Sequence, residues 1–293
     1  MIYSFYTGFG RAVDELGIDR ALDKAEEFGF SGVEFFYSAK LALSDLPSPE
    51  LAREYRRKIE QRGLSVSCVS MGASIVRPNN PNEISEQDLE GLIRGVEFAA
   101  NVGSRLFHHT LFMGFGYEIP NDFTVDSKRE LFLEGARRVA TRAAELGIEV
   151  LYEPQGPFFN GFKEFCRLVY DMRKTHDNIG ICCDFGNSFW VGEEPYEIFR
   201  ELVQFIRHVH IKDYALTKEP TDGASPAFRG GLYIREVPIG EVPIGEGCID
   251  IPKIAEILKS VGYCGAASIE DWPNVKDPEA TRRIIDRMRA LLG

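Results

Sequence analysis

Four side chains able to ligate a cation or carry a proton close four short apolar runs: Glu153 in LYEPQ, Asp184 in ICCDFGNS, His210 in RHVHIKD and Glu270 in ASIEDW. If the runs are successive strands of one parallel sheet, spaced roughly 4.8 Å apart, their ends converge over one side of a common mouth. Three carboxylates beside one neutral imidazole are too costly to crowd together without a cation. An oxygen-rich set with one nitrogen favours a single divalent ion in roughly octahedral geometry: Mn²⁺ first, with Mg²⁺ and Co²⁺ as alternatives. Two positions are left for neighbouring oxygens of a sugar. The ion would polarise a carbonyl and acidify the adjacent C–H, and Glu153 and Glu270 could act as bases through their second oxygens.

Further residues are placed near that mouth by their spacing. His208 shares the facing of His210 by the two-residue strand period, so spacing alone leaves the pair open; the one nearer the strand's C-terminal end is favoured. His108 and His109 are adjacent, so one faces inward and the other toward the helices, and spacing does not say which. Lys212, two residues past His210, shares its facing and could bind an oxyanion. Asn187 could donate to a sugar hydroxyl or cap the next helix. Tyr6, Phe5, Trp190 and Trp272 offer ring faces for a sugar, and Glu34 in GVEFF faces either the lumen or a helix. Cys182 and Cys183 are read as packing residues.

The elements that must hold these residues repeat. A helical stretch ends at a glycine and a β-branched or aromatic run follows at once, at Gly29, Gly63, Gly103, Gly147 and Gly262. Eight strands are predicted, over 2–6, 32–36, 64–70, 104–109, 148–152, 179–183, 206–211 and 265–270. Helices are predicted near 19–28, 49–62, 85–102, 127–146, 161–175, 195–205, 251–261 and 278–292, with Ser85 and Asp250 as N-caps. Eight βα units predict an α/β fold, one (β/α)8 TIM barrel over residues 1–293. An open doubly wound sheet would show a glycine-rich first turn, and TGFGR at 7–11 lacks the GxGxxG spacing. The irregular stretch from Ala215 to Gly247 contains VPIGE twice, at 237–241 and 242–246. It is expected to cover the bound substrate, with Phe228, Tyr233 and the duplicated segment near the mouth.

Composition narrows the partners. The 45 acidic against 34 basic residues give a net charge of −11, which disfavours nucleic acid and anionic lipid. No export signal or membrane-spanning run is visible, and six cysteines without a CxxC pair read as reduced thiols, so the cytoplasm is expected.

On LYEPQ, CDFGN, HVHIKD, PIGEG and the final SIE, the chain resembles, nearly end to end, the xylose-isomerase-like barrel of sugar isomerases and epimerases. That group includes ketose 3-epimerases, hydroxypyruvate isomerase and inosose dehydratase. The resemblance implies a divalent metal on Glu153, Asp184, His210 and Glu270, and so selects His210 over His208. It also implies that the two glutamates act as paired acid and base, with a small carbohydrate as substrate and a dimer or tetramer as the assembly. Departures fall around the sugar: Phe159, Asn187 and Leu216 stand where ketose 3-epimerases carry a glutamate, a histidine and an arginine.

The expected activity is therefore a metal-dependent isomerase or epimerase that takes a proton next to a carbonyl, with Asn187, Lys212, His108 and Tyr6 as substrate contacts. A dehydratase or lyase acting on a keto-cyclitol or 3-keto glycoside is the alternative on the same site. Five histidines and the negative charge argue against an apurinic endonuclease. A sugar-binding protein without catalysis would need neither glutamate as a base.

Overall fold

The repeating helix–glycine–strand pattern closes on itself. In the computed structural model, eight parallel strands form a barrel: β1 (Ile2–Phe5), β2 (Gly32–Ser38), β3 (Ser65–Gly72), β4 (Leu106–His109), β5 (Glu149–Tyr152), β6 (Ile179–Asp184), β7 (Ile206–Ile211) and β8 (Ala266–Ile269). Each pairs with its neighbours in sequence, and β8 pairs with β1 through Ile2–Ala266 to Phe5–Ile269. The structure describes all residues except 41, 114–117, 220–224, 228–230, 232, 237–243, 271–277 and 293, and the side chains of 235 and 236. Helices alternate with the strands, so the chain is a (β/α)8 TIM barrel.

Local chemistry sets the boundaries. The five glycines predicted to end helices have φ between 64° and 90°, a conformation that costs glycine little. Ser85 Oγ accepts from Asp88 N, and Asp250 accepts from Lys253 N, as the cap signals predicted. Alternation along each strand then divides the interior. Val33 and Phe35 of β2, with Val69 and Phe107, pack outward into the apolar layer beneath the helices. Cys68, Leu151 and Cys182, with Leu106 against them, form a separate apolar cluster.

Three features differ from the expectation. The turn after β1 contains a helix, Phe9–Leu16, where none was predicted. Its buried Phe9, Ala12 and Val13 outweigh the glycine penalty. Among the described residues after β7, Tyr214–Thr217, Ser225–Pro226 and Tyr233–Glu236 make an antiparallel three-stranded sheet where irregular chain was expected. Finally, Glu153 and Glu270 lie one residue beyond the strands they were read as closing, and Glu270 N still donates to Ile211 O at 2.9 Å. No helix among the described residues is long and apolar enough to cross a membrane.

Candidate active site

The top of the barrel gathers the predicted residues around His210, which is fully buried at the end of β7. Register explains the gathering: Asp184 of β6 lies opposite His210, which lies opposite Ser268 of β8, so side chains from adjacent strands share a layer. His210 Nδ1 lies 3.0 Å from Glu153 Oε2 and 3.5 Å from Glu270 Oε2. One ligand-type atom from each of Asp184, His210 and Glu270 lies within 4.8 Å of the others, and the same holds for Glu153, Cys182 and His210. Tyr6 stacks on the imidazole, with ring centroids 4.7 Å apart.

The other nitrogen of His210 was not accounted for by the sequence. Its Nε2 lies 3.1 Å from Glu34 Oε1, while Glu34 Oε2 receives His208 Nε2 at 2.8 Å. Ser70 Oγ also donates to Glu34 Oε1. Glu34 is fully buried and faces the lumen, which settles the facing that GVEFF left open. Its carboxyl is held well below the ordinary range: burial pushes it up, but the charge of His210 and the hydrogen bonds from both histidines outweigh that. An ionised Glu34 only accepts, so the His210 Nε2 that meets it carries a proton, while Nδ1 is turned toward Glu153 and Glu270. His208 also faces the lumen, one layer deeper, between Glu34 and Ser268 Oγ at 3.1 Å.

Lys212 and Asn187 complete the ring. Lys212 is buried and lies 3.1 Å from Asp184 Oδ2 and 2.8 Å from Glu270 Oε1; it also donates to Asn187 Oδ1 at 3.2 Å. Asn187 Nδ2 reaches Glu153 Oε1 at 3.4 Å, and its backbone N–H donates to Asp184 Oδ1 at 2.7 Å. His108 faces the lumen, bonded to Ser70 Oγ at 3.2 Å, with its Nε2 3.7 Å from Glu153 Oε1. His109 turns toward Phe107 and Tyr152 in the outer layer, which resolves that pair. Trp190 borders the site and donates to the Tyr214 hydroxyl at 3.2 Å. Trp272 and Phe228 lie outside the described residues. Phe5 is buried among Phe9, Phe28 and Phe30, away from the mouth. Phe159 packs against Phe132 in the outer core, and Leu216 is partly buried against the same core. Cys183 packs with the outer layer and Cys182 with Cys68 and Leu151 in the inner cluster, both as read from sequence, and Cys182 also lies near Glu153 and His210.

The electrostatics are unbalanced in a way that fits a divalent ion. Glu34, Glu153, Asp184 and Glu270 crowd one small volume against Lys212 and His210 as cations. Burial raises the Glu153 carboxyl, and Asp184 and Glu270 raise it further, against the hydrogen bond and charge of His210. Burial pulls the His210 imidazole down, yet it is held well above its ordinary range. The Cys182 thiol beside it is pushed up by burial and stays neutral, so Glu34 and Glu153 supply that stabilisation. Among the described residues, Asp184 Oδ2 and Glu270 Oε2 are buried and make no hydrogen bond, their nearest cationic groups being Lys212 at 3.1 Å and His210 at 3.5 Å. Two carboxylate oxygens that make no hydrogen bond, gathered around an imidazole, are a donor set suited to a hard or borderline cation.

A cavity of about 480 Å³ opens above this cluster. Glu270, Lys212, Asn187, Arg11 and Asp14 are among its polar lining, while Tyr6, Phe36, Trp190 and Met113 supply apolar surface. Its size suits a small polar molecule with one apolar face.

The chain is similar to known proteins over nearly its whole length. The family model described as "Xylose isomerase-like TIM barrel" matches residues 22–291. An L-ribulose-5-phosphate 3-epimerase UlaE of Salmonella heidelberg (strain SL476) is 24% identical over 269 residues, covering 89% of this chain and 84% of its own. The crystal structure of D-psicose 3-epimerase with D-tagatose from Clostridium cellulolyticum H10 superposes with a TM-score of 0.74 at 16% identity, over 100% of this chain and 99% of that one. The IOLI protein with a bound zinc atom gives 0.70 at 15% identity, over 100% and 98%.

Proposed function

The chain belongs to the xylose isomerase-like TIM barrel family, and from that premise we propose that it is a divalent-metal-dependent sugar epimerase or isomerase. The observation that carries this reading is the convergence of one ligand-type atom each from Asp184, His210 and Glu270, with Glu153 Oε2 3.0 Å from the same His210 Nδ1, beside the cavity that Glu270 lines. Glu153, Asp184, His210 and Glu270 would hold one ion, with Mn²⁺ favoured by the oxygen-rich set. When bound, the ion supplies Lewis acidity toward a carbonyl oxygen and compensates the carboxylate charge.

The rest is work for the chain's own groups. A carboxylate oxygen of Glu153 or Glu270 takes the proton from the carbon next to the carbonyl, and the C–H electron pair moves onto the carbonyl system. For epimerisation, the second glutamate returns a proton to the opposite face; for aldose–ketose isomerisation, the proton returns to the former carbonyl carbon while the hydroxyl proton passes from the old hydroxyl oxygen to the old carbonyl oxygen. Glu270 Oε1 is held by Lys212, and Glu153 Oε1 by Asn187, so each base has one oxygen fixed. Lys212 offsets the negative charge that develops, Tyr6 covers the imidazole, and His108 stands beside Glu153. Names of relatives support a carbohydrate substrate: an L-ribulose phosphate in one, D-psicose and D-tagatose in another.

The test is hydrogen exchange in D₂O. Metal-loaded protein is incubated with D-psicose, D-tagatose, L-ribulose, an inosose and a 3-keto glycoside, and each C–H is followed by NMR. Deuterium entering one carbon next to a carbonyl, in a product isomeric with the substrate apart from that deuterium, is the expected result. Loss of mass would move the reaction to dehydration or elimination on the same proton abstraction. No exchange in any member of the panel would overturn the reading.

A further inference from the structure

One buried group beside the cluster has no part in the proton transfer. Cys182 is fully buried, and one ligand-type atom each from Glu153, Cys182 and His210 lies within 4.8 Å of the others. The pairing of β6 with β7 shifts between Ile181 and Cys182; past the shift, Cys182 lies opposite His208 and Asp184 opposite His210. Two-residue alternation then points both β6 side chains inward, with Cys182 one layer deeper than Asp184. It packs there with Cys68 and Leu151.

The ligand atoms around His210 therefore form two triads of different chemistry. Asp184, His210 and Glu270 offer oxygen, nitrogen and oxygen; Glu153, Cys182 and His210 offer oxygen, sulfur and nitrogen. Oxygen-rich sets suit Mn²⁺ and Mg²⁺, whereas a thiolate beside an imidazole selects Zn²⁺ and softer ions. A third group, Glu34, His208 and His210, is closed by its own hydrogen bonds at 2.8 and 3.1 Å. Among the described residues the cavity is lined by Glu270 and not by Cys182, so the sulfur lies beneath the substrate space and outside it.

We propose that Glu153, Cys182 and His210 make a second, deeper position for a thiophilic divalent ion, Zn²⁺ or Cd²⁺, overlapping the Mn²⁺ position at Glu153 and His210. The ion forms one bond to sulfur and the S–H bond breaks, its proton passing to water. Both positions draw on the same imidazole and the same carboxylate, so one ion excludes the other. A thiophilic ion held there leaves Asp184 and Glu270 without a metal, which makes Zn²⁺ an antagonist of Mn²⁺ at this centre. The inference rests on the proposed function for the first position, but its readout is the metal–sulfur bond.

The probe is Cd²⁺, added to the metal-stripped chain in a Cys248→Ser, Cys264→Ser background that removes the two exposed thiols. Sulfur-to-cadmium absorption in the ultraviolet should grow to saturation at one ion per chain. Cd²⁺ should also release bound Mn²⁺ one for one, followed by the EPR signal of free Mn²⁺. Cys182→Ser should abolish the absorption and lower the ratio of Cd²⁺ to Mn²⁺ affinity about tenfold or more. Cys182→Ala takes its place if the serine variant does not fold. Cys68→Ala, in the same cluster but outside the triad, should keep the absorption. Cd²⁺ bound without the absorption, absorption that survives the loss of Cys182, or Cd²⁺ and Mn²⁺ bound together overturns the inference. Mn²⁺ uptake with no sulfur signal from Cd²⁺ would overturn it and leave the proposed function standing. A sulfur signal in a chain that takes up no Mn²⁺ would defeat the Mn²⁺ position and leave the deeper one.

Discussion

His210 joins two networks, and each nitrogen answers to a different carboxylate. Nε2 is committed to Glu34, so Nδ1 is left for Glu153 and Glu270. Partners of this kind orient a ligating imidazole and often cost 10–100-fold in metal affinity when lost. Glu34→Gln should therefore weaken Mn²⁺ binding by about 10-fold or more, measured by competition with a chelator. Its amide donor would face one of two histidine N–H groups, and ¹⁵N NMR of the metal-free variant should show a changed tautomer at His208 or His210. Glu153, Asp184, His210 and Glu270 were legible because each closes an apolar run. Glu34 was not, since an acid inside GVEFF is equally consistent with either face until the histidines 174 and 176 residues away are seen to meet it.

At the scale of elements, the segment after β7 shows what spacing misses. Asp213 follows Lys212 and accepts four backbone N–H groups: Tyr214 and Gly245 and Gly247 at 2.8 Å, and Ile249 at 3.2 Å. A Cβ on Gly247 would lie 2.2 Å from its Oδ1, so glycine there lets the backbone approach the carboxylate. The second VPIGE segment is thus pinned at Gly245 to the end of β7, and Tyr214 is held as a wall of the cavity. The first copy lies outside the described residues. Asp213→Ala leaves several buried amides unpaired and should cost about 3 kcal/mol. It should also speed proteolytic cleavage between 218 and 243, with KM rising more than kcat falls. Cleavage at the wild-type rate would remove Asp213 as the anchor. The helix Phe9–Leu16 was missed for the opposite reason: two glycines signal a turn, and only packing of Phe9 under β1 and β2 makes a helix of it.

For the whole molecule, the barrel was readable because its signal is repeated; five helix-ending glycines and eight apolar runs agree with one architecture. What the barrel buries also sets its response to acid. His109 lies in the outer layer, where burial pushes its imidazole down to about 4. The unfolded chain, with an ordinary value near 6.5, binds this proton first as pH falls. Stability attributable to His109 is complete above about 6.5 and is lost toward about 4, with a slope of up to about 1.4 kcal/mol per pH unit. His109→Gln should flatten the stability curve in that window by about one proton; an unchanged slope in urea melts from pH 7 to 4.5 would contradict it.

The central claim is that four strand ends make one divalent-cation site. Equilibrium dialysis of metal-stripped protein against Mn²⁺, with elemental analysis, measures it directly. The result expected is one ion per chain, falling to near zero in Asp184→Ala and His210→Ala variants that remain folded. Protein that takes up no Mn²⁺, Co²⁺, Mg²⁺ or Zn²⁺, or variants that bind as the wild type does, would contradict it.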